Sequence, residues 1–240
     1  MRAARHFDAL AENYDRREEV RGDPLGPWLR AALPPAGGSA VDLACGAGRH
    51  TTVIAERYEH VLAVDLSANM IDLARRRRPG ANIEYRTADL LDVEGQFDLV
   101  FSSAALHDLP ELDRALARIR SLVAPHGRAI IADVVAPLSP VTKWMFFVGA
   151  LGHLVVDLAR RRKEAFALYR LDTDRAWIAH LATDHYLSRP EFERRYRGYF
   201  PHAEFHRARN LHICSWVNRR GASPPSDDVV SNQRTDPPGG

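Results

Sequence analysis

The segment Val41-Asp42-Leu43-Ala44-Cys45-Gly46-Ala47-Gly48-Arg49-His50-Thr51 passes from an apolar run through a cluster of small residues into helix-forming sequence. At such a corner the backbone can approach a ligand that larger side chains would exclude. An acid stands one residue inside the run, at Asp42, and two more, Asp65 and Asp89, follow the next two apolar runs. The pattern is D-x-A-x-G-x-G, and it fails the dinucleotide fingerprint because Thr51 stands where the third glycine belongs. Imidazoles that can move protons near neutral pH occur at His107, after a later apolar run, and at His153, His180 and His185. No C-x-x-C or histidine–carboxylate spacing suits a metal, and none is expected.

These residues need elements to hold them. Apolar runs at 40–44, 61–64, 83–87, 97–102 and 128–135 predict five strands. Helical patterns at 51–58, 69–77 and 111–123 lie between them. Such alternation indicates βαβ units, a parallel sheet with helices on both faces, and ligands beyond the carboxyl ends of its strands. The run Arg75 to Arg78 reads as a solvated helix end.

The alternation breaks at Pro137. Residues 138–186 have helical character without a strand, which predicts an insertion on the carboxyl-end side. Ser188-Arg189-Pro190-Glu191 is a capping-box pattern that starts one more helix, through Gly198. Runs at 202–208 and 211–217 are close enough to pair as a hairpin. The whole predicts an α/β fold: a doubly wound, mostly parallel seven-stranded sheet with a C-terminal antiparallel hairpin and a helical insertion after the fifth strand. The expected divisions are a helical cap at 1–35, a nucleotide-binding core at 36–136, an insertion or lid at 137–187, a helix and hairpin at 188–219 and a disordered tail at 220–240.

The Asp42–Gly48 pattern resembles the first motif of the class I (Rossmann-like) S-adenosylmethionine-dependent methyltransferases, D/E-x-G-x-G-x-G, with Ala44 replacing the first glycine, a small-for-small change expected to be tolerated. Further segments match in order: Asp65-Leu66 closing the second strand, Asn69-Met70 after it, Asp89-Leu90 after the third, and Phe97 to Ser102 as the fourth. The resemblance implies S-adenosylmethionine as cofactor. It would be bound by Tyr14, Asp42, Ala44, Gly46, Gly48, Asp65, Leu66, Met70, Asp89, Leu90 and Ser102. Asp65 would accept hydrogen bonds from the ribose hydroxyls, Asp89 would stand near the adenine amino group, and Met70 would lie against adenine. The opening segment His6 to Asp15 resembles the Phe-Asp-x-x-Ala-x-x-Tyr-Asp start of small-molecule members, which implies that Tyr14 closes over the methionine end. His107 then lies in the loop facing the transferring methyl and is the candidate general base; His153, His185 and Tyr186 are candidate substrate contacts.

Composition narrows the function. The formal charge is +2, so no nucleic-acid partner is expected, and the Asn/Asp/Ser-Pro-Pro-Tyr motif of base methylation is replaced by Ser102-Ser103-Ala104-Ala105. Lysine occurs only at Lys143 and Lys163, and the Arg-, Ala- and Pro-rich composition suggests a GC-rich bacterial genome. Two cysteines suggest a reducing compartment, and the charged start lacks a signal peptide's apolar stretch, which together predict a cytoplasmic protein. The longest apolar run, Trp144 to Val156, falls short of the roughly 20 residues a membrane span needs. Its surface is read first as core or lid, then as a homodimer contact, then as a helix on a membrane surface. The expected function is O- or N-methylation of a small molecule, such as a specialised metabolite. The alternatives are a cofactor-binding enzyme that catalyses a cyclisation or isomerisation, and a nonenzymatic binding module.

Overall fold

In the computed structural model of the chain, the described residues are 11–12, 15–16, 18–20, 22–135, 143–159, 163, 165–173, 186–209 and 211–219. Among them the elements run α1 (Gly26–Ala32), β1 (Gly37–Leu43), α2 (Arg49–Ala55), β2 (Tyr58–Asp65), α3 (Ala68–Arg77), β3 (Ile83–Thr87) and β4 (Phe97–Ser103). There follow α4 (Leu112–Leu122), β5 (Val123–Val134), α5 (Lys143–Ala159), α6 (Ala165–Asp172), α7 (Arg189–Tyr199), β6 (Glu204–Ala208) and β7 (Leu211–Val217). Single 3₁₀ turns stand at Leu90–Asp92 and Leu106–Asp108.

All seven strands form one sheet in the order β3-β2-β1-β4-β5-β7-β6. The pairs among β1 to β5 are parallel, and β7 runs antiparallel to both β5 and β6, as expected. Strand order reverses between β1 and β4, so a crevice opens at their carboxyl ends, where Leu43 pairs with Ser102.

Two apolar layers hold the sheet. One face carries Val41, Leu43 and Val100 with Leu116 and Ile119 of α4 and Phe192 and Tyr196 of α7. The other carries Ala40, Leu99, Phe101 and Ile130 with Leu25, Leu29, Val53 and Ile54. In α4 the buried positions Ala115, Leu116, Ile119 and Leu122 recur at helical spacing, which commits one side of the helix to the sheet. The capping box before α7 is present: the Ser188 backbone N–H and hydroxyl both donate to Glu191 Oε2, at 3.0 and 2.6 Å.

Helix α1 lies inside the helical cap expected at 1–35. Proline is tolerated in a first turn, and Asp23 Oδ1 caps this one by accepting from Leu25 N and Gly26 N, both at 2.9 Å. The helix end is exposed from Arg75 through Arg77, as expected, but it also holds partners: Arg77 and the half-buried Arg78 pair with the buried Asp15, at 2.5 and 2.9 Å, and Arg75 donates to Tyr85 O at 2.7 Å. The helical residues 15–16 and 18–20 are thereby clasped against α3 and the Gly-rich corner, because Arg49 also reaches Asp15 and Arg78 Nη1 donates to Ala47 O.

Candidate active site

The corner after β1 is built from left-handed residues. Ala44 has φ 56°, Gly46 φ 54° and Gly48 φ 80°. A Cβ on Gly48 would lie 2.6 Å from the Tyr85 hydroxyl and force that ring to move, in a backbone conformation that already strains L-residues. A Cβ on Gly46 would meet nothing within 4 Å; this edge of the corner faces open space, as a cradle for a ligand requires. Ala44 fits where glycine is usual, but at a cost, since an L-residue in this conformation loses about 1–2 kcal/mol. Ala44→Gly is therefore expected to raise stability by about 0.5–1 kcal/mol after the extra unfolded-state entropy of glycine is subtracted. Urea denaturation checks this, and a loss of stability would contradict the strain.

Asp65, at the end of β2, faces the corner. Its Oδ2 accepts from Gly46 N at 2.8 Å and its Oδ1 from Ser67 N at 2.9 Å. One carboxylate thus ties the β1 corner to the start of α3, which Ser67 caps by accepting from Met70 N at 3.2 Å. Each carboxylate oxygen has a second lone pair, so this latch is compatible with accepting from a diol. Leu66, next to it, is an exposed apolar side chain. Met70 is buried beneath the corner with Ala11, Ala47 and Leu73, supporting the corner from below. Asp89 Oδ1 accepts from Leu91 N at 2.9 Å, and Leu90 is buried against the core.

Asp42 is enclosed, and Thr51 donates to its Oδ2 at 2.6 Å. Burial raises its carboxyl to about 6, against the lowering effects of Thr51 and His50. The native state therefore holds this proton more tightly than the unfolded chain. Stability contributed by the protonated form is full below about pH 4 and is lost as pH rises to about 6. Asp42→Asn keeps the acceptor for Thr51 without the titration. Its stability relative to wild type is expected to climb across that window, to at most about 3 kcal/mol above pH 6; a pH-independent difference in denaturation midpoint would refute this.

Across the crevice, Ser102 stands next to last in β4, paired with Leu43. Its hydroxyl is buried and has no hydrogen-bond partner among the described residues. An orphaned buried hydroxyl costs about 1–3 kcal/mol, which a ligand at the crevice would recover. The open edge at Gly46, the acid at Asp65 and the orphan at Ser102 fit an adenosyl group bound at this point.

His107 lies in the 3₁₀ turn after β4. Its Nδ1 is 2.5 Å from Asp133 Oδ1 at the end of β5, and both side chains are nearly enclosed. Val134 N donates to the same oxygen at 2.8 Å, which fixes the carboxylate. With Nδ1–H donating to Asp133, Nε2 is the acceptor nitrogen of the neutral ring. The Tyr186 ring stacks on His107 with centroids 5.1 Å apart. Asp133 is missing from the sequence reading, although an acid inside the apolar run Ile130-Ile131-Ala132-Asp133-Val134 is an available signal. The neighbouring His212 instead contacts Glu193 Oε1 at 3.0 Å.

The structure thus brings together Ala44, Gly46, Gly48, Asp65, Leu66, Ser102, His107 and Tyr186 at the carboxyl ends of the strands. His153 lies on the exposed side of α5, while Tyr14, His180 and His185 lie outside the described residues. Burial pushes both thiols up, Cys214 to about 12, so neither serves as a thiolate nucleophile at neutral pH. Among the described residues no cluster could hold a metal ion. A cavity of about 720 Å³ lined by Trp28, Arg120, Arg128 and Trp216 opens at the opposite end of the sheet, away from this chemistry.

Residues 41–131 match a family described as a methyltransferase domain. The chain is 30% identical over 188 residues to the 2-phytyl-1,4-naphtoquinone methyltransferase of Trichormus variabilis, covering 70% of this chain and 81% of that protein. It is 29% identical over 184 residues to the demethylmenaquinone methyltransferase of Clavibacter sepedonicus, covering 71% and 74%. In fold it is similar to the structure of the DhpI–SAH complex, with a TM-score of 0.60 and 21% identity over 88% of this chain and 93% of that one.

Proposed function

Since the chain belongs to the class I S-adenosylmethionine-dependent methyltransferases, we propose that it methylates a small, apolar acceptor at a hydroxyl that must lose its proton, with His107 as the base. The observation that carries this reading is the His107 Nδ1 contact to Asp133 Oδ1. A base oriented by a fixed carboxylate serves an acceptor that has to be deprotonated. A hydroxyl and an ammonium both meet that condition, and the ring compounds named for the two curated relatives favour an ionisable hydroxyl, as in phenols and hydroquinones.

When bound, S-adenosylmethionine supplies an activated methyl on a sulfonium, and the cofactor leaves as the thioether. The chain's own residues do the rest. Gly46 and Asp65 hold the nucleoside end, and Ser102 offers its hydroxyl at the switch point. Asp133 keeps the proton of His107 on Nδ1, so Nε2 takes the acceptor's proton as the oxygen forms its bond to carbon. The Tyr186 ring over His107 shields the base and presents an aromatic surface to a flat acceptor. Positioning in a near-attack arrangement contributes roughly 7–11 kcal/mol and the base another 10²–10⁴-fold. The α5–α6 unit follows β5 and precedes Tyr186, and in this reading it covers the acceptor.

The lipophilic quinone named for each of the two curated relatives supports an apolar ring-bearing acceptor. The test is incubation with methyl-labelled cofactor and a panel of naphthohydroquinones, phenols and amines. Label on the hydroxyl-bearing compounds is the expected result. Label confined to amines would refute the acceptor class. Consumption of an acceptor with all label retained in the cofactor would replace transfer with cyclisation or isomerisation.

A further inference from the structure

Helix α5 is inside out for a water-facing helix. Val148, Leu151, Val155 and Leu158 recur at spacings of three and four and are 52%, 53%, 61% and 45% exposed, whereas Asp157 is buried at 5%. Globular proteins put the acid outward and the aliphatic stripe inward, so this face is made for something other than water. Val156 on the same helix and Phe166 on α6 are exposed as well. In sequence the stripe runs straight into Arg160-Arg161-Arg162-Lys163, a concentrated cationic run in a chain whose formal charge is only +2, and Lys163 is exposed.

We propose that this face of α5 docks on an anionic lipid bilayer. The aliphatic stripe enters the boundary between headgroups and acyl chains, and the basic run meets headgroup phosphates. Charge selects this occupant, because an aliphatic stripe that ends in four cations matches a surface that is apolar beneath and anionic above. With 17 residues α5 is long enough to lie in that boundary, and among the described residues no helix is long and apolar enough to cross it. The inference rests on the reading of a lipophilic acceptor and deepens it: such an acceptor, dissolved in lipid, enters the site from the membrane under α5. The unit that carries the stripe lies in the chain between Asp133 and Tyr186, both beside His107.

The test is co-sedimentation of the full chain with vesicles of phosphatidylcholine alone and of phosphatidylcholine with phosphatidylglycerol, in parallel with S-adenosylhomocysteine binding. Binding to the anionic vesicles is expected to exceed that to neutral ones by about tenfold or more. Leu151→Glu with Val155→Glu is expected to abolish it while S-adenosylhomocysteine affinity is kept, which shows the fold intact. Arg161→Glu with Arg162→Glu removes only the preference for anionic lipid. Wild-type protein left in the supernatant with both vesicles, or vesicle binding unchanged by Leu151→Glu with Val155→Glu, overturns the proposal. So does a dimer in sedimentation velocity that those substitutions dissociate, which would assign the face to a second copy. A chain that binds S-adenosylhomocysteine but no vesicles defeats the membrane face alone. One that binds vesicles but labels no acceptor defeats the proposed activity alone.

Discussion

His107→Gln is expected to lower kcat by about 10²–10⁴-fold while S-adenosylhomocysteine affinity stays within about twofold of wild type. Glutamine keeps a donor for Asp133 and much of the ring's volume, but it cannot take a proton. The loss should therefore appear in turnover and not in cofactor binding. Asp133→Asn separates positioning from proton transfer. An amide facing Nδ1 no longer selects the tautomer with Nε2 as acceptor, so kcat should drop with little change in KM. Single-turnover rates measure both, and a His107→Gln rate within about threefold of wild type would remove the base from the mechanism.

The second large effect is at Asp65. Asp65→Ala is expected to weaken S-adenosylhomocysteine binding by about 1–3 kcal/mol, roughly 5- to 150-fold, as measured by calorimetry. Part of this is the lost acceptor for the ribose. Another part is the lost latch, because Gly46 N and Ser67 N both donate to this carboxylate. Asp65→Asn keeps one oxygen for one of those N–H groups and should fall between wild type and alanine. Unchanged affinity in Asp65→Ala would refute the assignment of the nucleoside end to this corner.

Much of this site is legible along the chain because its parts are local. The Asp42–Gly48 corner is a single stretch, and small residues there follow from backbone geometry: Gly48 has a left-handed φ, and a Cβ there would displace Tyr85. Asp65 and Ser102 sit at strand ends that alternation of apolar runs locates. The hairpin of β6 and β7 and the capping box at Ser188 are likewise short-range patterns. Where local signals mislead, the cause is a long-range partner. Arg78 reads as solvated along the chain, yet it is half-buried against Asp15, far away in sequence.

By itself the amino-acid sequence determined the order of strands and helices, the small-residue corner after β1 and the family, since each depends on periodicity or on contiguous residues. Only the tertiary structure decided that Asp133 stands behind His107, 26 residues away on the adjacent parallel strand. It alone showed that Tyr186 covers the ring and that α5 turns its aliphatic side outward. The physical reason is common to all three. Side chains distant in the chain meet only after the sheet sets the register of neighbouring strands, and the direction a helix faces is set by what packs against it.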